Sequence, residues 1–306
     1  MGLTNTQRIL IREIMYNDKI SDNIRSAALL ACREDKTEKN KAFCREAIMR
    51  LEKIRDMTFL PNRNKNLIVE DVSDFIEARY YLSVREKALF AQIDKIRHVS
   101  KKMRDMQIRY LNTVLLYGES GTGKTTFGRY LAYKFSLPFM YVNLANLVDS
   151  LMGKTSKNIA SLFTDVKDVP CVLMLDEIDS IGSRRGTDNG GAADKENNLF
   201  VITLLQELDR INQDMLIIAA TNRFDLIDNA IIRRFSVHHE VQRLSLEESR
   251  IMLYNYIHDL PMDIDETEAD KLIERFKGKD IAQSYIINAL VERIAEILAM
   301  KTGEAD

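Results

Sequence analysis

The sequence predicts an α/β fold, a mostly parallel sheet covered on both faces by helices, with an all-α region before it and a helical segment after it. Three observations predict this. Five short β-rich apolar runs alternate with helix-compatible stretches between residues 113 and 241, as buried parallel strands do. Before them, and again after about Leu244, apolar residues recur at helical spacing with charged residues between. At 306 residues, 45% hydrophobic and 29% charged, the chain can bury a sizeable core in two or three domains.

Taken in order, Ile9, Ile11, Ile14 and Met15, then Ile24, Ala27, Ala28 and Leu30, predict two amphipathic helices. Glu38 to Met57 places Phe43, Ile48 and Leu51 similarly, and Pro61 with Asn62, Asn64 and Asn66 marks a break. A third helical region is expected over Val69 to Lys95, so residues 1–95 read as an N-terminal helical region. The expected strands are Thr113 to Tyr117, Phe139 to Leu144, Cys171 to Leu175, Met215 to Ala220 and Val237 to Val241. They define an α/β domain over 96–243, followed by a helical domain over 244–306. Gly186 to Asp194, GTDNGGAAD, reads as a loop.

The segment Gly118-Glu119-Ser120-Gly121-Thr122-Gly123-Lys124-Thr125 satisfies G-x-x-x-x-G-K-[ST] and directly follows the first strand. Its glycines let backbone N–H groups turn inward around phosphates, and the helix starting there directs its positive dipole end at the anion. Lys124 is expected to reach the β- and γ-phosphates of ATP, and Thr125 to ligate Mg²⁺, with Thr126 completing the nucleotide contact.

Cys171-Val172-Leu173-Met174-Leu175-Asp176-Glu177 is an apolar strand ending in two carboxylates. Alone, such a pair is more often a helix cap; about fifty residues after a phosphate loop, the catalytic reading prevails. Asp176 is expected to hold Mg²⁺ through its water shell and Glu177 to polarise the attacking water.

With these motifs the sequence resembles the AAA family of hexameric, protein-remodelling ATPases from about Asn112 to the C-terminus. The resemblance implies an ATPase core with a small helical lid. Asn222, in Ala219-Ala220-Thr221-Asn222-Arg223, matches the family's sensor-1 residue. Arg233 and Arg234 match its arginine fingers in the double form seen in katanin and spastin, which implies that they act in the neighbouring subunit's site and that a monomer is not fully active. Gly278, in Phe276-Lys277-Gly278-Lys279-Asp280, is similar to the second-sensor segment, where close approach to the nucleotide is implied. In proteins of the katanin and spastin type the N-terminal helical module binds substrate or partner, a role this implies for residues 1–95.

Leu151, Met152 and Gly153 resemble the first pore loop, with Leu151 at the position where the family usually has an aromatic residue. A buried Leu-Met pair is the alternative reading. Arg184 and Arg185 precede the expected second pore loop, where a solvated loop is the other possibility.

Composition excludes several classes. A net charge of −2 gives no global attraction to nucleic acid or membranes, and the basic run Arg97, Lys101, Lys102, Arg104 and Arg109 is expected to be a solvated helix face, so nucleic-acid contact is not expected. Cys32, Cys44 and Cys171 are too scattered for a disulfide framework or a zinc site, and His98, His238, His239 and His258 have no cysteine partners at ligand spacing. No apolar stretch suggests membrane insertion, so a cytoplasmic location is expected. The leading expectation is therefore a homo-oligomeric, hexameric ATPase that remodels a protein partner. The alternative is a nucleotide-dependent regulatory or loading module acting on a nucleic-acid or effector complex.

Overall fold

The computed structural model describes residues 2–16, 22–35, 37–58, 65–108, 110, 112–149, 155–167, 169–181, 192–211, 215–262 and 264–302. The chain divides into two compact units, Met1–Arg63 and Asn64–Asp306. In the first, a capping box opens helix α1 (Asn5–Tyr16): Gln7 N donates to Thr4 Oγ1, and Thr4 N donates to the Gln7 side chain. Helices α2 (Asp22–Glu34) and α3 (Lys41–Thr58) complete the unit. Its core holds Ile11, Ile14, Met15, Leu29, Cys32, Phe43, Ala47 and Leu51. Ile9, Ile24 and Leu30, which helical spacing also marked as apolar positions, are exposed.

Val69 to Lys95 is not one helix. Ile68–Glu70 is a short strand, β1, and helix α4 spans Val84–Asp105. The β-branched pair Ile68-Val69 favours extended backbone, and Glu70 is fixed by Arg129, whose Nε donates at 2.6 Å. Ser83, bonded to the Glu86 carboxylate, starts α4 in the Ser-x-x-Glu pattern of a helix N-terminus. Val72, Leu89 and Ile93 belong to the core of this second unit. Arg97 lies 4.4 Å from the centre of the Phe135 ring, a packing role within the basic run.

Strand β2 (Thr113–Tyr117), helix α5 (Lys124–Phe135) and strand β3 (Phe139–Asn143) follow, then helices α6 (Leu144–Asp149) and α7 (Thr155–Val166), strand β4 (Val172–Asp176) and helix α8 (Ala192–Arg210). Strand β5 (Leu216–Thr221), helix α9 (Asn229–Ile232) and strand β6 (Val237–Glu240) close the α/β part. Helix α8 begins at Ala192, inside the segment expected as a loop. The sheet order is β1-β3-β4-β5-β2-β6, parallel except for β1, which runs antiparallel to β3. The inner strands β2, β4 and β5 are almost wholly buried, which is why they read as unbroken apolar runs rather than alternating ones. Because they are parallel, their carboxyl ends reach one edge of the sheet: Tyr117 pairs with Thr221, and Asn143 with Asp176. Ligands bind at that edge of such sheets.

Helices α10 (Leu246–His258), α11 (Thr267–Phe276) and α12 (Gln283–Thr302) form the C-terminal lid around Leu253, Ala269, Leu272, Ile286 and Leu290. Glu268, buried in this lid, accepts from Arg293 Nε at 2.6 Å and Lys271 Nζ at 2.6 Å. These cations lower its pKa from 4.5 to about 2. A depressed carboxylate stabilises the fold above its unfolded pKa and loses that contribution as pH falls through its folded value. The melting temperature of the parent protein should therefore fall between about pH 4.5 and 2 more steeply than that of Glu268→Gln. Parallel melting curves would count against this ion pair as a pH-dependent stabiliser.

Candidate nucleotide site

Between β2 and α5 the chain takes left-handed backbone at Gly118, Gly121 and Gly123, with φ of 138°, 78° and 92°. Two of these glycines are also required by space. A Cβ on Gly118 would lie 2.3 Å from the Val241 carbonyl oxygen, and one on Gly121 2.3 Å from Ser284 Oγ. The loop thus packs against the end of β6 on one side and the lid on the other, and Gly123 caps α5 without a side chain in the way of its first N–H groups.

Lys124 is buried, 7% exposed. Its Nζ donates to Gly118 O at 2.8 Å, Glu119 O at 2.7 Å and Asn222 Oδ1 at 2.7 Å, which uses all three ammonium donors. Burial lowers its pKa, opposed by the negative charges of Asp176 and Asp179. Thr125 Oγ1 donates to Asp176 Oδ2 at 3.0 Å, the Tyr141 hydroxyl donates to the same oxygen at 3.3 Å, and Glu177 N donates to Asp176 Oδ1 at 3.0 Å. Glu177 is exposed and holds left-handed backbone, φ 57°, which a non-glycine residue adopts only at a cost. Thr221 Oγ1 donates to Asp179 at 2.7 Å and accepts from Arg223 N at 2.8 Å, so the residues flanking Asn222 are tied to the turn after β4.

Ser120 to Thr126, Asp176, Glu177 and Asn222 line one cleft of about 580 Å³, within the range of small-ligand sites. Phe75, Ile76, Tyr81, Met252 and Ile287 add apolar lining to the same cleft, beside Arg79 and Asn288. Sequence reading did not find this lining, nor the lid contacts: Gln283 Nε2 donates to Thr122 O at 3.3 Å and to Gln242 O at 3.0 Å, and Ser284 N donates to Gly121 O at 3.2 Å. Gly278 has left-handed backbone with φ 75° and is not among the residues lining the cleft. Glu119 turns its side chain to Arg243, which also holds Asp280 of the lid. Among the described residues no three acidic, histidine or cysteine side chains cluster as a metal site. Thr125 and Asp176 supply a hydroxyl and a carboxylate, the hard oxygen donors that suit Mg²⁺ where phosphates and waters complete its shell.

Arg233 and Arg234 follow α9, whose cap Asp228 accepts from Ala230 N at 2.6 Å. Neither lines the cleft of its own chain. Arg233 is exposed, whereas Arg234 pairs with Asp209 at 3.2 Å and donates to Ala230 O at 3.3 Å. Leu151, Met152, Gly153, Arg184 and Arg185 lie outside the described residues.

Strand, glycine loop and helix, with a buried lysine, a hydroxyl facing an aspartate and a glutamate beside it, define a P-loop nucleoside triphosphatase. Residues 114–243 match the family described as ATPase family associated with various cellular activities (AAA). Similar curated proteins include the ATP-dependent zinc metalloprotease FtsH of Staphylococcus haemolyticus, 33% identical over 214 residues, which are 67% of this chain and 28% of that protein. A putative 26S proteasome regulatory subunit homolog of Methanothermobacter marburgensis is 34% identical over 190 residues, covering 60% of this chain and 50% of the relative. The 26S proteasome regulatory subunit 8 homolog of Schizosaccharomyces pombe is 30% identical over 199 residues, covering 64% and 45%. The chain spans half of the length of these relatives or less. Residues 114–243 thus carry an AAA ATPase domain.

Proposed function

We propose that this chain hydrolyses ATP with Mg²⁺ in a ring of like subunits, most simply a hexamer, and uses the energy to remodel, unfold or disassemble a protein partner. The observation that carries the reading is the meeting of Lys124, Thr125, Asp176, Glu177 and Asn222 at one sheet edge. There Lys124 and the loop N–H groups would hold the β- and γ-phosphates, and Thr125 and Asp176 would hold a Mg²⁺ that supplies charge neutralisation. Glu177 polarises the attacking water, and Asn222 positions it. The relatives named as proteasome regulatory subunits and as an ATP-dependent protease point to protein as the substrate class. The 306 residues contain no His-Glu-x-x-His, the zinc-binding pattern of a metalloprotease.

Arginines serving a neighbouring site must be free to leave their own chain, and this separates the pair. Arg233→Ala should lower turnover by about 10²-fold, as removal of one charge-stabilising donor does, with ATP affinity kept. Arg234→Ala should cost less, since that side chain is held by Asp209 of its own chain. Mixing Arg233→Ala with Glu177→Gln subunits should restore part of the activity, because some interfaces then pair an intact glutamate with an intact arginine. No recovery despite proven co-assembly would place Arg233 in a local structural role.

Remodelling itself is tested at Leu151. Leu151→Ala removes an apolar side chain worth roughly 1.5–3 kcal/mol when buried, so partner remodelling should collapse while basal ATP hydrolysis survives. Leu151→Tyr should preserve remodelling if the residue grips a chain, and should lower the melting temperature if it is core. Unaltered remodelling by a well-folded Leu151→Ala protein would favour a nucleotide-dependent regulatory or loading role.

A further inference from the structure

The Met1–Arg63 unit carries charge that the nucleotide cleft does not use. It holds 13 Lys or Arg against 9 Asp or Glu, a net of +4 in a chain of net −2. On α1, Asn5, Arg8, Ile9 and Arg12 stand at i, i+3, i+4 and i+7, one stripe of a helix. With Phe43 of α3 they line a groove of about 270 Å³.

Three properties of this groove select a ligand. Ile9 is 66% exposed, so apolar surface is open to a partner. The Arg8 and Arg12 guanidinium carbons lie 4.9 and 5.9 Å from the centre of the Phe43 ring, and Arg8 Nε is buried with no hydrogen-bond partner among the described residues. A carboxylate docking from solvent would meet the exposed Arg12 guanidinium and the open part of the half-buried Arg8 with charge-assisted bonds. Neither Glu13 nor Glu46, exposed acids of α1 and α3, lines the groove to compete for these cations.

We propose that α1 and α3 dock an acidic amphipathic helix of a protein partner, with its carboxylates on Arg8 and Arg12 and an aliphatic side chain on Ile9. In this helix-in-groove mode the partner helix presents its own anchors at i, i+3, i+4 and i+7. Nucleic acid fits less well. Phe43 is only 6% exposed, which leaves no aromatic platform for a base to stack on, and a phosphate backbone offers Ile9 no apolar partner. Docking is a binding event that needs no hydrolysis. Only its use in presenting a substrate to the ATPase rests on the remodelling reading.

The test is fluorescence anisotropy on the full chain, using a fluorescein-labelled helical peptide of Glu, Leu and Ala with leucines at i and i+4 flanked by glutamates. Saturable binding should weaken about tenfold or more in Arg12→Glu and in Ile9→Ser, as truncation of an interface anchor does, with melting temperatures unchanged. Binding should be the same in Lys124→Ala, so a failure of the ATPase reading leaves this result standing. The proposal is overturned by absence of saturable binding, by equal affinity for the peptide with Lys in place of Glu, by unchanged affinity in both groove variants, or by tighter binding of oligothymidylate.

Discussion

Glu177→Gln should bind ATP as the parent protein does and hydrolyse it on the order of 10³-fold more slowly, the scale of losing a positioned general base. The geometry explains why the two effects separate. Glu177 is exposed beyond the end of β4, and its described hydrogen bonds are made by its backbone: the N–H donates to Asp176, and the carbonyl accepts from Ser180 N. The amide keeps the side chain's shape, so Asp176, Thr125 and Tyr141 retain their hydrogen bonds, and the phosphate loop is untouched. What is lost is the capacity to accept a proton from water. Phosphate release at saturating ATP and a separate nucleotide titration measure the two halves. If turnover stays within a few-fold of the parent, the role of general base belongs to another residue. A variant that holds ATP without hydrolysing it should also accumulate as the assembled oligomer, which sedimentation in ATP would reveal.

How much of this was legible in the sequence depended on whether the signal was local. The inner strands were readable because both faces are buried, so that Val114 to Leu116 and Val172 to Leu175 contain no polar residue to blur the limits. The phosphate loop was readable because its glycines, lysine and threonine are contiguous. Asp176 and Glu177 followed from being the first polar residues after a buried strand. β1 was missed because three residues give no period, and its identity comes from pairing with β3 about seventy residues later in the chain. The apolar lining of the cleft joins Phe75 and Ile76 to Met252 and Ile287, a juxtaposition that no window of sequence contains. The lid's approach was sought at Gly278, where a glycine marked a turn, but the contacts to the loop come from Gln283 and Ser284. The arginine pair carried a similar limit: two adjacent identical residues look equivalent until Asp209, on a different helix, takes one of them. Ile9 illustrates the same point for burial, because helical spacing groups residues by face without saying which face meets the core.

Lys124→Ala should weaken ATP binding on the order of 10³-fold, because it removes the cation facing the β- and γ-phosphates together with charge-assisted hydrogen bonds worth about 1.5–3 kcal/mol each. Its effect on the nucleotide-free protein should be far smaller. The buried ammonium is held against its desolvation by Gly118 O, Glu119 O and Asn222 Oδ1, and burial lowers its pKa against the opposing pull of Asp176 and Asp179. Alanine removes the desolvation cost of a buried charge along with its three hydrogen bonds, two changes of opposite sign. Thermal unfolding separates the two consequences. The parent protein should gain melting temperature with rising ATP, as any ligand that binds only the native state requires, while Lys124→Ala should need on the order of 10³-fold more ATP for the same gain. Lys124→Arg should fail too, because a planar fork cannot occupy the site of a compact ammonium with three carbonyl-type acceptors around it. An ATP-induced shift of the parent's size in Lys124→Ala at the same ATP concentration would mean that the phosphates lie elsewhere, and the assignment of the Gly118 to Thr125 loop would fall with it.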